Sequence, residues 1–206
     1  TANTIVSGGG AETITVSTAA NSTVTLAAAG AATTLTTASV GSGYFNVTTF
    51  AVAEDKLDYN GAVNSTDGTA TTIAGNEGSG HADIAEIDAA ETSDLITVAM
   101  TSDIIDGFLA GTSTEADLKA AALVAMGDAG VTTATQTAIT GLDTALDDAS
   151  KVLIFTVDNE DTAIWYVNNT STGTGGADVL AADEITLVGI IQGDVLTAAQ
   201  MGTILT

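Results

Sequence analysis

Four side chains that can offer oxygen stand in a row at Asp158-Asn159-Glu160-Asp161, between two apolar runs. A calcium ion takes about six to eight hard oxygen ligands, and carboxylates crowded onto one turn supply them. Asp55 with Asp58, and Asp178 with Asp183, are sparser sets of the same kind. An acidic turn between strands also serves as a plain solvated turn, so the spacing leaves both uses open for each set. With 26 carboxylates in 206 residues, at least one specific calcium site is expected.

Catalytic equipment is thin. Ser79, His81 and Asp83 lie side by side in a Gly-rich stretch. Working triads instead assemble from separated loops, with the base oriented in space by a third group. One histidine and no cysteine cannot build a zinc centre of the usual kind. Gly41-Ser42-Gly43 lacks the third glycine of a dinucleotide loop, and no Gly-Lys-Ser/Thr follows any Gly run, so phosphate cradles are missing. Lys119 falls on an expected helix and reads as solvent-facing. No enzyme is expected.

Asn21, Asn46, Asn64, Asn168 and Asn169 each open an Asn-x-Ser/Thr sequon, which matters only in an exported chain. The Thr-rich runs Thr33-Thr34 and Thr36-Thr37 could carry O-linked sugars.

Three lysines and no arginine face those 26 acids, for a net charge of −23. Such a surface repels nucleic-acid phosphates and anionic membranes and favours divalent cations. The 45% hydrophobic content excludes a disordered acidic tail. No apolar run approaches the roughly 18 residues that would cross a bilayer as a helix, so no membrane insertion is expected. Lack of cysteine suits a bacterial surface protein that folds outside the cell without disulfides. A halophilic cytosolic protein would show a similar charge. The start at Thr1, with neither Met nor a basic-apolar leader, reads as a processed or excised segment.

The elements that must carry these groups are mostly strands. Ile5-Val6, Thr13 to Ser17, Thr23 to Leu26, and Phe45 to Val47 continuing through Phe50 to Val52 are β-branched or apolar runs about ten residues apart. That spacing predicts a β-sandwich or a degenerate β-roll. Residues 60 to 91 read as a loop or spacer and place a boundary there: an N-terminal β region over 1–75, and an α+β region with C-terminal hairpins over 76–206. Two helices are predicted. Thr114 caps the first, with Leu118, Ala122 and Met126 on one face. The second carries Ile139, Leu142, Leu146 and Ala149. Leu95 to Leu109 fits either a strand or a helix. Lys151 to Val157, Ala163 to Val167 and Glu184 to Ile191 return to strands, and a short helix from Thr197 to Gly202 follows. The fold class is mostly β with two or so inserted helices.

The segment Tyr44-Phe45-Asn46-Val47-Thr48-Thr49-Phe50, followed by Glu54-Asp55-Lys56-Leu57-Asp58, resembles the module that closes RTX-type β-rolls in secreted and S-layer proteins of bacteria. There a strand ending in Phe precedes an Asp-Lys-hydrophobic-Asp turn. Lys151 to Phe155, Asp161 to Val167, Asp183 to Gly189 and Leu196 to Gln200 are similar to the same family, so the likeness spans roughly 40 to 206. The tandem Gly-Gly-x-Gly-x-Asp repeat is missing, and Gly8-Gly9-Gly10-Ala11-Glu12 is at best a decayed rung. The resemblance implies export and surface location more than it implies the calcium roll.

Residues 3–26 lack both proline and lysine, the residues that blunt an exposed strand edge. An unprotected edge suits strand addition to a neighbouring copy. The expected function is a self-assembling extracellular structural subunit of a surface layer or filament, dependent on Ca2+ and carrying glycans. The alternatives are an adhesin or carbohydrate-binding β-module stacking sugars on Trp165 or Tyr166, and the non-catalytic export module of a larger RTX-type protein.

Overall fold

Short Thr/Val/Ile runs separated by Gly, Ala and Asn cannot make long strands, but they can stack. The computed structural model describes residues 3–17, 19–27, 32–37, 43–58, 95–100, 103–126, 151–168, 182–197, 200 and 204. Its first six strands are β1 (Asn3–Val6), β2 (Glu12–Val16), β3 (Ser22–Thr25), β4 (Thr33–Thr37), β5 (Phe45–Thr48) and β6 (Lys56–Asp58). They alternate between two sheets. β1, β3 and β5 pair in parallel in one sheet, and β2, β4 and β6 in the other. Asn3 pairs with Ser22, Ser22 with Phe45, Glu12 with Thr33 and Thr34 with Lys56, so one coil takes about 19 to 23 residues. The ten-residue spacing of the runs is thus half a coil, and the region is a parallel β-roll.

Register stacks like on like. Ile5, Val24 and Val47 form one ladder, and Ile14, Leu35 and Leu57 form the other. Both ladders belong to a single apolar core between the sheets. The coils lie close at Gly43, where a Cβ would sit 2.5 Å from the carbonyl carbon of Ala20. Two local differences from expectation stand out. Lys56 to Asp58 is a strand rather than a turn, because it has β4 to pair with. Phe50 to Val52 is not a strand: the chain turns there, and Phe50 is buried in the roll core.

The other strands are β7 (Leu95–Ala99), β8 (Lys151–Val157), β9 (Thr162–Asn168) and β10 (Ile185–Ile191). β10 lies parallel against β5, and the larger sheet runs β1-β3-β5-β10-β9-β8-β7. Both sides of the boundary expected near residue 75 thus contribute to one sheet; the boundary itself falls outside the described residues.

Side chains of β8 to β10 alternate between two cores, as the period-two pleat requires. Phe155, Ile164 and Ile191 join the roll core. Ile154, Trp165 and Ile190 face the helices α1 (Ile104–Leu109) and α2 (Glu115–Met126). A bulge between Leu187 and Gly189 shifts the alternation. It sets Gly189 opposite the Phe45 ring, where a Cβ would meet Cζ at 2.6 Å. The ring therefore covers the seam between roll and hairpins.

α2 begins as expected. The Asp117 N–H donates to Thr114 Oγ1 at 3.2 Å, and the Thr114 N–H donates back to Asp117 Oδ2 at 2.8 Å. The Thr114 N–H and the Thr114 hydroxyl, both donating to Asp117 Oδ2, hold that carboxyl below its ordinary pKa. The ambiguous stretch 95–109 divides into strand β7 and helix α1. The helix predicted around Ile139 to Ala149 lies outside the described residues. After β10, the Gln200 N–H donates to Thr197 Oγ1 at 3.4 Å, while most of the helix expected from Thr197 to Gly202 lies outside the described residues. Among the described residues no helix is long and apolar enough to cross a membrane.

Candidate functional site

The turn Asp158 to Asp161 joins the antiparallel strands β8 and β9, so pairing of Val157 with Thr162 fixes its two ends. Asp158 curls back over it: Oδ1 accepts the N–H of Asp161 at 3.0 Å and of Glu160 at 3.3 Å. Its Oδ2 reaches across to accept the N–H of Ile105, in the first turn of α1, at 3.1 Å. That helix start has no side-chain cap of its own from Asp103, so the loop supplies an acceptor to a distant element. Asp161 Oδ1 accepts the N–H of Gly193, just past β10, at 2.7 Å. Thr162 completes the junction by donating to the Asp194 carbonyl at 2.7 Å and accepting the Leu196 N–H at 3.0 Å. One acidic turn thus fastens α1 and the segment after β10 to the hairpin.

The two outer members behave differently. Asn159 and Glu160 are exposed, whereas Asp158 is buried and Asp161 is only 3% exposed. The second carboxylate oxygen of Asp161 is buried and has no hydrogen-bond partner among the described residues. Asp106, from the first turn of α1, brings its carboxylate within hydrogen-bonding reach of Asp161. Desolvation is the main cause that pushes Asp161 up to about 6, opposed by the Gly193 N–H and reinforced by the charges of Asp158 and Asp106. Nearby, burial also raises the Asp194 carboxyl above its ordinary value.

A carboxyl held above its unfolded pKa stabilises the fold while protonated, below about pH 4, and that contribution is lost as pH rises through about 6. Ionised Asp161 should therefore cost the fold about 1–2 kcal/mol at pH 7.5, a two-unit shift discounted for the nearby solvent. Asp161→Asn keeps an acceptor for Gly193 and gives Asp106 a donor. In chelator, urea unfolding should find this variant about 1–2 kcal/mol more stable than wild type at pH 7.5 and equal to it at pH 4. The same difference at both pH values would show that ionisation of Asp161 is not the cause.

The other expected ligands are scattered. Asp55 is buried in the roll, with Oδ1 accepting the Thr33 N–H at 2.9 Å and Oδ2 the Ala51 N–H at 2.8 Å. Asp58 is half-buried on β6, where it accepts the Thr36 hydroxyl at 3.5 Å. Asp183 is exposed in the turn before β10, and Asp178 lies outside the described residues. Among the described residues no group of three or more His, Asp or Glu side chains is placed to hold a metal ion. Any calcium at the 158–161 turn would thus depend on few protein ligands and on water.

Of the sequons, Asn21 is exposed, and its Oδ1 accepts the Tyr44 N–H at 3.4 Å. Asn46 is half-buried on β5, donating from Nδ2 to Gln192 Oε1 at 3.4 Å. Asn168 ends β9, while Asn64 and Asn169 lie outside the described residues, as do Ser79, His81 and Asp83. Lys119 is engaged: its Nζ donates to the Ala182 carbonyl at 3.0 Å, tying α2 to the approach to β10. Trp165 is fully buried, and its Nε1–H donates to Thr156 Oγ1 at 2.8 Å. Tyr166 is half-buried against the roll core. The Trp165 ring offers no open stacking face.

Sequence reasoning missed Asp106 and Asp194. Their only signal was position: Asp106 is an acid in the first turn of a helix that the sequence left ambiguous, and Asp194 follows a positive-φ glycine, Gly193, in a turn. The chain matches no family model, and no curated protein or solved structure is significantly similar to it.

Proposed function

We propose that this chain is a self-assembling structural subunit of an extracellular bacterial surface layer or filament, whose copies join through the first coil of the roll in a calcium-dependent manner. One observation carries the reading: among the described residues, β1 and β2 are each paired on one side alone. Residues 3–26 are not a detached arm. They are the first coil, and what they offer a neighbour is a pair of parallel edges. Neither edge contains lysine or proline, and Val6 on β1 is 71% exposed. A neighbouring coil added there would repeat the pairing that β3 and β4 already make with β1 and β2.

The charge of −23 opposes close approach of copies. Salt screens that repulsion and calcium bridges carboxylates, so assembly depends on both. The roll architecture supports the RTX-like resemblance, and with it export to the cell surface. Glycans at exposed sequons such as Asn21 fit the same location.

The test is electron microscopy of the full chain in millimolar calcium and in chelator, beside Val6→Lys. A lysine at this exposed site leaves the fold intact, with unfolding free energy changed by at most about 0.5 kcal/mol. Ordered filaments or sheets are expected from the wild type in calcium only, and dispersed particles from the variant. Particles dispersed in every condition would overturn the reading, and ordered polymers of Val6→Lys would show that β1 is not the joining edge.

A further inference from the structure

The junction of α1, the β8–β9 turn and the segment after β10 leaves one buried acceptor unused. Asp161 is 3% exposed and its Oδ1 is taken by Gly193, yet the other oxygen has no partner among the described residues. The group that comes within reach is another carboxylate, Asp106. While both are ionised, the two carboxylates cannot satisfy each other, because neither then has a hydrogen to give. Asp158 does not relieve them, since its oxygens accept the N–H groups of Ile105, Glu160 and Asp161. Glu160, in the same turn, is exposed. The charged groups that act on Asp161 are both acids, Asp158 and Asp106. A hard cation with oxygen preference would answer this arrangement, and the exposed Asp106 gives it a way in.

We propose that Asp106 and Asp161 are the protein ligands of a weak, water-rich calcium site that locks α1 to the β8–β9 turn. With two carboxylates and the remaining positions held by water, affinity falls in the range of extracellular modules, about 0.1–1 mM. This deepens the calcium part of the reading above and rests on that part, with a readout that needs no assembly.

The experiment is thermal unfolding of the full chain, dilute enough to stay dispersed, titrated with calcium chloride at constant ionic strength. Asp106→Asn and Asp161→Asn are compared with Asp103→Asn, an exposed acid beside the same helix start that controls for general charge screening. In the wild type and Asp103→Asn, calcium at ten times Kd should raise Tm by about 3–5 °C. In Asp106→Asn and Asp161→Asn the rise should fall to less than half. A full rise in both of these variants would overturn this site while leaving calcium dependence standing. No rise in the wild type would remove the calcium reading and this site together. If the site titrates as expected but filaments ignore chelator, the site stands and calcium gating of assembly fails.

Discussion

Replacing Asp55 by alanine is expected to cost about 3–5 kcal/mol, the loss of two charge-assisted hydrogen bonds whose donors stay behind. The carboxylate is 2% exposed and accepts the N–H groups of Thr33, the first residue of β4, and Ala51, in the turn leading to β6. The same turn is closed by the Asp55 N–H, which donates to the Ala51 carbonyl at 2.7 Å. One side chain therefore ties two successive coils of the roll together. Alanine leaves both donors unpaired, and the buried one at Thr33 is hard for water to reach. A loss of that size is about a fifth or more of the stability of an ordinary domain. Asp55→Asn retains one acceptor but turns its amide N–H₂ toward another donor, so about half the loss should remain. Urea unfolding in chelator checks both. A cost below about 1 kcal/mol for alanine would mean that the carboxylate does not fasten the roll.

Trp165→Ala should cost about 3–5 kcal/mol, through the cavity left by the largest fully buried side chain among the described residues. The indole packs in the apolar core between the sheet and the helices α1 and α2. It also leaves the Thr156 hydroxyl without its 2.8 Å donor. Trp165→Phe keeps most of the apolar contact and should lose about 1–2 kcal/mol. If the tryptophan instead stacked on sugar, both variants would lose glycan binding at unchanged stability, and the same denaturation series separates the two outcomes.

Much of the architecture was legible because its signals are local. The ten-residue spacing of β-branched runs revealed short stacked strands, and Thr114 with Asp117 marked the start of α2. Residues 151–157, 163–167 and 184–191 read as strands from their apolar runs, and the structure buries their two faces in separate apolar cores. Local signals failed where pairing decides the outcome. Lys56-Leu57-Asp58 is too short and polar to read as a strand, yet β4 offers it a ladder. Phe50-Ala51-Val52 has strand composition, yet Asp55 draws its backbone into a turn.

For the candidate site the division follows the same physics. The residues by themselves determined the acidity, the scarcity of counter-charges and the crowding of oxygen donors at 158–161, because composition and neighbouring positions are properties of the chain alone. Which donors remain unused is a property of space. The roll takes both oxygens of Asp55, and the start of α1 takes one from Asp158. Burial leaves an oxygen of Asp161 facing inward with no hydrogen to accept, beside an Asp106 that lies 55 positions earlier in the chain. Only tertiary structure could bring those two acids together, because hydrogen bonding and desolvation act across contacts that sequence separation does not encode.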